Sequence, residues 1–145
     1  TMEINIELKT GIFWYPEIEE KTMEIVKKTG MEDRVIYSSF NHYSIQEVRR
    51  LNPEAETAYL YGDVILDVEK YAEGTGVQGL HAALYHLYMS DFLKRWKESG
   101  MKVRVWTVNR EEDMKHFIEA GLEAVITNYP DTAIAVRRQV EHAEK

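Results

Sequence analysis

Apolar and polar residues alternate through Glu3-Ile4-Asn5-Ile6-Glu7-Leu8-Lys9, the period-two signature of a β-strand. That period puts Asn5, Glu7 and Lys9 on one face and Ile4, Ile6 and Leu8 on the other. A surface strand would explain this alternation with no function attached. After it, Thr10 to Pro16 reads as a loop rich in exposed aromatics. The period then changes: Ile18, Thr22, Ile25 and Val26 predict a helix from about Glu17 to Thr29, with Gly30 as its stop. Val35 to Phe40 is the next strand. Asn41-His42-Tyr43 leads into a helix whose capping box is Ser44 and Glu47. Ile45, Val48 and Leu51 form its core face, and Asn52-Pro53 ends it.

The pattern repeats along the rest of the chain. Thr57 to Tyr61 is short and β-prone, and Asp63 is expected to cap a helix through about Glu73. Gly74-Thr75-Gly76 breaks that helix. Two glycines so close also suit a phosphate loop, but no lysine follows and the order is helix to strand, so the stretch reads as a turn. Val77 to His81 reads as a strand, followed by a loop or short helix through Tyr88. Ser90 is expected to cap a helix carrying Leu93 and Trp96, stopped by Gly100. Lys102 to Val108 is a strand in which Val103, Val105 and Thr107 alternate against Arg104, Trp106 and Val108. Asn109 and Glu112 form a second capping-box-like pair, with Met114, Phe117 and Ile118 facing inward before Gly121. Ala124 to Thr127 is the last strand, and Asp131 caps a terminal helix that frays into a charged tail. Strand and helix alternate throughout, which implies parallel strands with helical crossovers. No linker divides residues 1–145, so a single α/β domain is expected. Five or six strands fit an incomplete (β/α) barrel or an open doubly wound sheet.

Bulk properties narrow the class. A chain of 145 residues is long enough for a real core. Its net charge of −7 is spread over interspersed acidic and basic residues, which argues against nucleic acid or an anionic membrane as partner. With no cysteine, disulfides and thiolate metal sites are excluded. No apolar run approaches the roughly 20 residues that cross a bilayer. The chain opens on a strand instead of a signal peptide, so a cytoplasmic protein is expected. A fold rarely begins on a buried functional strand, and residues preceding Thr1 are therefore expected.

Candidate chemistry collects at the strand ends, as it does on the C-terminal side of a parallel barrel. Asn5-Ile6-Glu7-Leu8-Lys9, Ser38-Ser39-Phe40-Asn41, Gly79-Leu80-His81, Trp106-Thr107-Val108-Asn109 and Ile126-Thr127-Asn128-Tyr129-Pro130 stand in that order. Together they resemble the motifs of the glycerophosphodiester phosphodiesterases across nearly the whole chain. The resemblance implies a partial TIM-type (β/α) barrel of the phospholipase-C-like phosphodiesterase kind. It also implies hydrolysis of glycerophosphodiesters to glycerol 3-phosphate and an alcohol with a divalent metal, Mg²⁺ or Ca²⁺. The family's opening His-Arg-Gly, Glu-Leu-Asp and His-Asp motifs do not occur in residues 1–145. The catalytic histidines and two of the three acidic ligands are therefore expected upstream of Thr1, in the roughly 100 further residues that a barrel of about 250 would need. That count leaves one short run, Thr57–Tyr61 or Val77–His81, surplus to the barrel wall.

Carried over by motif, Glu7 matches the third metal-ligating carboxylate and Lys9 the lysine that approaches the phosphate. A hard cation takes carboxylate oxygen, and a neighbouring ammonium stabilises charge on a phosphoryl oxygen, so the chemistry suits both assignments. Phe40 and Trp106 match aromatics lining the glycerol pocket, though aromatics also serve simply as core. His81 falls in the family's Gly-Leu-His-Pro stretch and is counted with the substrate-side residues, although Ala82 replaces the usual proline. His42 follows a strand end but matches no catalytic histidine. His86, His116 and His142 are expected on the surface. The leading expectation is the C-terminal portion of such an enzyme, inactive alone, whose open sheet edges are covered by the N-terminal segment or a second copy. The alternatives are a non-catalytic half-barrel that binds ligand without turnover, and an unrelated phosphate-handling α/β protein.

Overall fold

β1 (Ile4–Glu7), β2 (Val35–Ser39) and β3 (Glu56–Tyr61) run parallel, with α1 (Ile18–Lys28) and α2 (His42–Leu51) as the crossovers between them. This computed structural model describes residues 3–143. The described chain falls into two compact units, one ending at Leu80 and one beginning at His81. The register places Glu7 beside Ser38 and Ser38 beside Ala58. Strand alternation then puts Asn5, Glu7, Ile36, Ser38 and Ala58 on one face and Tyr37, Ser39, Thr57 and Tyr59 on the other. All five residues of β2 are buried, as expected of a parallel strand covered on both faces.

The second of these faces packs on helices. Ile45 and Val48 of α2 are completely buried, worth about 1.5–3 kcal/mol each by transfer. Tyr59 is also fully buried; its hydroxyl accepts from Gln46 Nε2 at 2.7 Å and donates to Thr75 Oγ1 at 2.9 Å. α3 (Val68–Gly74) completes the first unit, ending at the turn whose Gly76 adopts a φ of 74°. The turn reading of Gly74-Thr75-Gly76 therefore holds. β4 (Gly79–Ala83) spans the boundary between the units. A Cβ at Gly79 would lie 2.7 Å from that of Ala58, so only glycine fits there.

The second unit carries α4 (Phe92–Glu98), β5 (Lys102–Trp106), α5 (Glu111–Glu119), β6 (Ala124–Ile126) and α6 (Pro130–Ala143). β5 and β6 are parallel. Val103, Val105, Met114 and Phe117 are buried between sheet and helices, and Trp96 stacks on Phe92 at 5.5 Å. Part of the expected charged tail, residues 144–145, lies outside the described residues.

Several local expectations are corrected. Thr57–Tyr61 is a full strand, paired with β2 and buried, and Gly79–Ala83 is also a strand, so neither run is surplus. α2 starts at His42 because Asn41 caps it first, accepting from Tyr43 N at 3.1 Å. Ser44 is consequently the third residue of the helix, within its first turn, and Glu47 pairs with Arg50 instead. Asp63 is not the cap of α3, which begins at Val68 with Asp67 at its N-cap. Asp91, not Ser90, occupies the N-cap of α4, and Arg110, not Asn109, that of α5. α6 begins at Pro130, one residue before Asp131. Ile25 is exposed, because the buried stripe of α1 runs through Ile18, Glu19, Thr22 and Val26 and leaves Ile25 at its margin. Leu51 is also exposed. His86 is buried, edge-on to Tyr85 and Trp96, whereas His116 and His142 are at the surface.

His42 joins two stacked tyrosines. Its ring lies 3.9 Å from that of Tyr59 and 5.6 Å from that of Tyr71. Nε2 donates to Leu60 O at 3.0 Å, so Nδ1 accepts from the Tyr71 hydroxyl at 3.1 Å. Burial disfavours the charged ring and lowers its pKa below the ordinary 6.5, although the Leu60 contact works the other way. Burial likewise pushes Tyr71 up to about 12. Because the folded pKa of His42 is depressed, the unfolded chain binds the extra proton first as pH falls. Its stabilising contribution is present above pH 6.5 and is lost as pH drops through the lowered value. Urea titrations from pH 7.5 to 5 should show stability falling by up to about 1.4 kcal/mol per pH unit from this group. His42→Gln should flatten that slope; an unchanged slope would remove His42 as its source.

Candidate functional site

Glu7 is the last residue of β1, and the three residues after it are fixed by a network of short hydrogen bonds. Leu8 N extends the ladder by one rung, donating to Ser38 O at 2.8 Å. Leu8 itself is buried. Its carbonyl accepts from Ser39 Oγ at 2.6 Å and from Thr10 N at 3.1 Å. Thr10 is buried too: its hydroxyl shares a 2.6 Å hydrogen bond with Ser44 Oγ, and its carbonyl accepts from Asn41 Nδ2 at 3.2 Å. Asn41 N in turn donates to Ser39 Oγ at 3.0 Å. The end of β1, the end of β2 and the first turn of α2 are thus one latched unit.

The latch leaves Glu7 and Lys9 projecting from a tethered backbone. Lys9 Nζ donates to Glu7 Oε1 at 2.8 Å. The Lys9 side chain is 79% exposed and that of Glu7 31%, so this pair adds little to stability and is open to a ligand. Both line a cleft of about 660 Å³ with Leu8, Ile12, Phe13 and Phe40. Phe40, half exposed, closes the side formed by the end of β2. Glu7, Lys9 and Phe40, singled out by motif, are therefore brought together in the first unit. Beside Glu7 in register, the Ser38 hydroxyl is buried with no hydrogen-bond partner among the described residues.

His81 and Trp106 belong to the second unit and are joined there. Trp106 Nε1 donates to His81 O at 2.8 Å, and Arg104 Nη1 lies 3.5 Å from His81 Nε2. His81 and Arg104 are both buried. The Trp106-Thr107-Val108-Asn109 and Thr127-Asn128-Tyr129 stretches are tied to each other: Asn109 Oδ1 accepts from Thr127 Oγ1 at 3.2 Å and from Asn128 N at 3.1 Å. Val108 N donates to Ile126 O at 2.9 Å, and Tyr129 N to Thr127 Oγ1 at 3.0 Å. Asn109 is thus a strand-end clamp, which is why it does not cap α5.

Sequence reasoning missed Thr10, Ser39, Asn41 and Ser44 as positioning residues. Asn41 gave a signal, since an Asn shortly after a strand and just before a helical pattern is a natural cap. A buried Thr–Ser hydroxyl pair separated by 34 positions gives none. Among the described residues, no group of three or more His, Asp or Glu side chains could hold a metal ion.

The glycerophosphoryl diester phosphodiesterase family matches residues 1–132. A glycerophosphodiester phosphodiesterase of Caldanaerobacter subterraneus subsp. tengcongensis is 37% identical over 94% of this chain and 56% of its own length. The crystal structure of a glycerophosphodiester phosphodiesterase from Parabacteroides distasonis superposes with a TM-score of 0.80 at 26% identity, covering 99% of this chain and 59% of that one. A phosphodiesterase of Oleispira antarctica, in complex with the product sn-glycerol-3-phosphate, gives a TM-score of 0.78 at 25% identity over 93% of this chain and 55% of that one. The chain has the α/β fold of these phosphodiesterase barrels, and it spans about half the length of the curated relatives it matches.

The latch makes a direct stability prediction. Ser39→Ala and Thr10→Val each strand a buried partner and should cost about 1–3 kcal/mol in urea unfolding. Lys9→Ala, which removes only an exposed ion pair, should change stability by less than about 0.5 kcal/mol. Equal costs for all three would show that the network does not hold the strand end.

Proposed function

Since the chain belongs to the glycerophosphoryl diester phosphodiesterase family, we propose that it is the phosphate-gripping part of a metal-dependent enzyme. That enzyme hydrolyses glycerophosphodiesters to glycerol 3-phosphate and an alcohol. The observation that carries this reading is the Glu7–Lys9 pair, held by the latch in one cleft with Phe40. Water adds to phosphorus as it gives up a proton, the phosphorus–oxygen bond to the alcohol breaks, and the departing alkoxide takes up a proton. Lys9 places a full positive charge where a phosphoryl oxygen gains negative charge, a contribution larger in the transition state than in the bound substrate. Phe40 offers an aromatic face to the glycerol carbons, and Trp106 is assigned to the substrate side by its motif. His81 is assigned to the substrate side by its motif, with Trp106 Nε1 bound to its carbonyl.

A hard divalent cation, Mg²⁺ or Ca²⁺, takes about six to eight oxygen ligands, or six in Mg²⁺'s case, several of them water. Glu7 offers one carboxylate, and the described residues form no metal cluster by themselves. The described residues alone therefore do not make up a site that fits the metal. In this reading Glu7 is one ligand among several, and the others, with the acid–base histidines, come from residues outside 1–145. The proposed source is the N-terminal segment or a second copy. Among the described residues β1 has one hydrogen-bonded neighbour, β2, and β6 has one, β5, so each presents an edge on which a further strand can pair. In this reading the enzyme acts in the cytoplasm; no helix among the described residues is long and apolar enough to cross a membrane.

The pure 145-residue chain should therefore show no turnover of glycerophosphocholine above background. EDTA-sensitive turnover by that chain would overturn the division of the site. With the N-terminal portion supplied, Glu7→Ala should lower metal-dependent kcat/KM by about 10²–10³-fold, a loss of the size seen when one preorganised charge contact is removed. Lys9→Ala should fall in the same range. Wild-type rates from the Glu7→Ala protein would take Glu7 out of the site.

A further inference from the structure

Glu20, Met23, Glu24 and Lys27 recur at a spacing that sets them on one face of α1. That face, the single helical turn Glu32–Arg34 and the end of α2 wall a groove of about 500 Å³. Its lining runs from Glu20 to Ala55, so the first unit alone forms it. Glu32 precedes β2 and Ala55 precedes β3, which puts the groove at the opposite end of the strands from Glu7. It shares no residue with the cleft there. Its polar groups are unequally satisfied. Glu24 pairs with Lys28 at 2.5 Å. Glu20 and Glu32 are held by no ion pair among the described residues, although Glu20 lies in the field of Arg50. Tyr37 is only 3% exposed, yet its hydroxyl reaches the groove with no hydrogen-bond partner among the described residues. A tyrosine hydroxyl so deeply placed normally has one. Burial, and after it the charge of Glu32, raises its pKa above the ordinary 10 and keeps it neutral.

We propose that this groove binds a linear aliphatic polyamine, with one ammonium group between the Tyr37 hydroxyl and Glu32, another at Glu20, and methylenes along Met23 and Leu51. An ammonium group only donates hydrogen bonds, and the Tyr37 oxygen and the Glu32 carboxylate both accept. A single metal ion suits the groove less well. Among the described residues no three acidic or histidine side chains come together as such an ion requires. The helix also rises about 10 Å from Glu20 to Lys27, so the acids at its two ends call for charges spaced along a chain. Met23, Leu51 and Ala55 supply apolar surface for what lies between those charges. A smaller cleft of about 280 Å³ continues the groove through Glu32, Asn52 and Ala55. It adds Glu3, Asp33, Glu54 and Glu56 against one cation, Arg34, so a further ammonium group also meets acid.

The test is a ¹H–¹⁵N chemical-shift titration of the chain with spermidine at about 150 mM NaCl, where loosely held counterions are screened beyond about 8 Å. The amides of Glu20, Met23, Glu32 and Asn52 are expected to move along one saturating curve while those of Glu7 to Gly11 stay still. Ethylamine, a lone ammonium with almost no chain, should bind at least about tenfold more weakly. Tyr37→Phe keeps the ring in its packing and removes only the hydroxyl, and it should weaken spermidine by about tenfold. Glu32→Gln, at an exposed position where folding is not at stake, should weaken it by about fivefold. Lys27→Ala removes the cation that lines the groove and should tighten it by about threefold. Unchanged affinity in both Tyr37→Phe and Glu32→Gln would overturn the inference. Shifts scattered over acidic residues outside the groove, and reproduced by MgCl₂ at equal ionic strength, would also overturn it, as a counterion atmosphere only. Saturable shifts with pentalysine but none with spermidine would make the groove a protein-docking face and overturn it too.

Discussion

A buried polar network ties the end of β1 to the end of β2, and the candidate site depends on it. The strand ladder alone stops at Glu7, and an untethered loop after it would leave Lys9 free to sample many positions. Ser39, Asn41 and Ser44 hold Leu8 and Thr10 instead, with contacts of 2.6 to 3.2 Å. Four of the groups involved are hydroxyl or amide side chains in an interior where an unpaired polar atom is costly. That cost gives the latch a single satisfactory arrangement. Glu7 and Lys9 can therefore stay solvent-accessible while their backbones are fixed, the combination an electrostatic site requires.

The second unit repeats the device with different residues. Asn109 reaches from the end of β5 to Thr127 and Asn128 at the end of β6, so two stretches that resemble family motifs are also each other's structural partners. Trp106 is held by its indole N–H on the His81 carbonyl. In both units, polar side chains at strand ends do what helix caps were expected to do. They satisfy backbone groups, and in doing so they aim their neighbours.

This explains which parts were legible in the sequence. Alternation in Glu3–Lys9, the β-branched run at Val35 and the Lys102–Val108 pattern revealed parallel strands, because burial on a pleated face imposes the same period wherever it occurs. Glycines at 30, 76, 100 and 121 marked turns because each adopts a positive φ. Helix starts were less legible. Ser44, Asp63 and Asn109 have the chemistry of caps, but Ser44 and Asn109 are committed to tertiary contacts, and α3 begins five residues after Asp63. His86 was misplaced for a related reason: it packs edge-on to Trp96 of α4, which no local pattern couples to it. Of the candidate site, the charged pair and Phe40 were readable by motif, whereas the buried hydroxyls that position them were not.

The central claim is that the latched end of β1 presents Glu7 and Lys9 to a phosphate ester. Its most direct test is a ¹H–¹⁵N chemical-shift titration of the chain with glycerol 3-phosphate. The account predicts that the amides of Glu7 to Gly11 and of Phe40 move together along one saturating curve. Those lining the groove between α1 and α2, such as Glu20, Met23 and Lys27, should stay still. Saturable shifts centred on that groove, with the end of β1 unmoved, would contradict it.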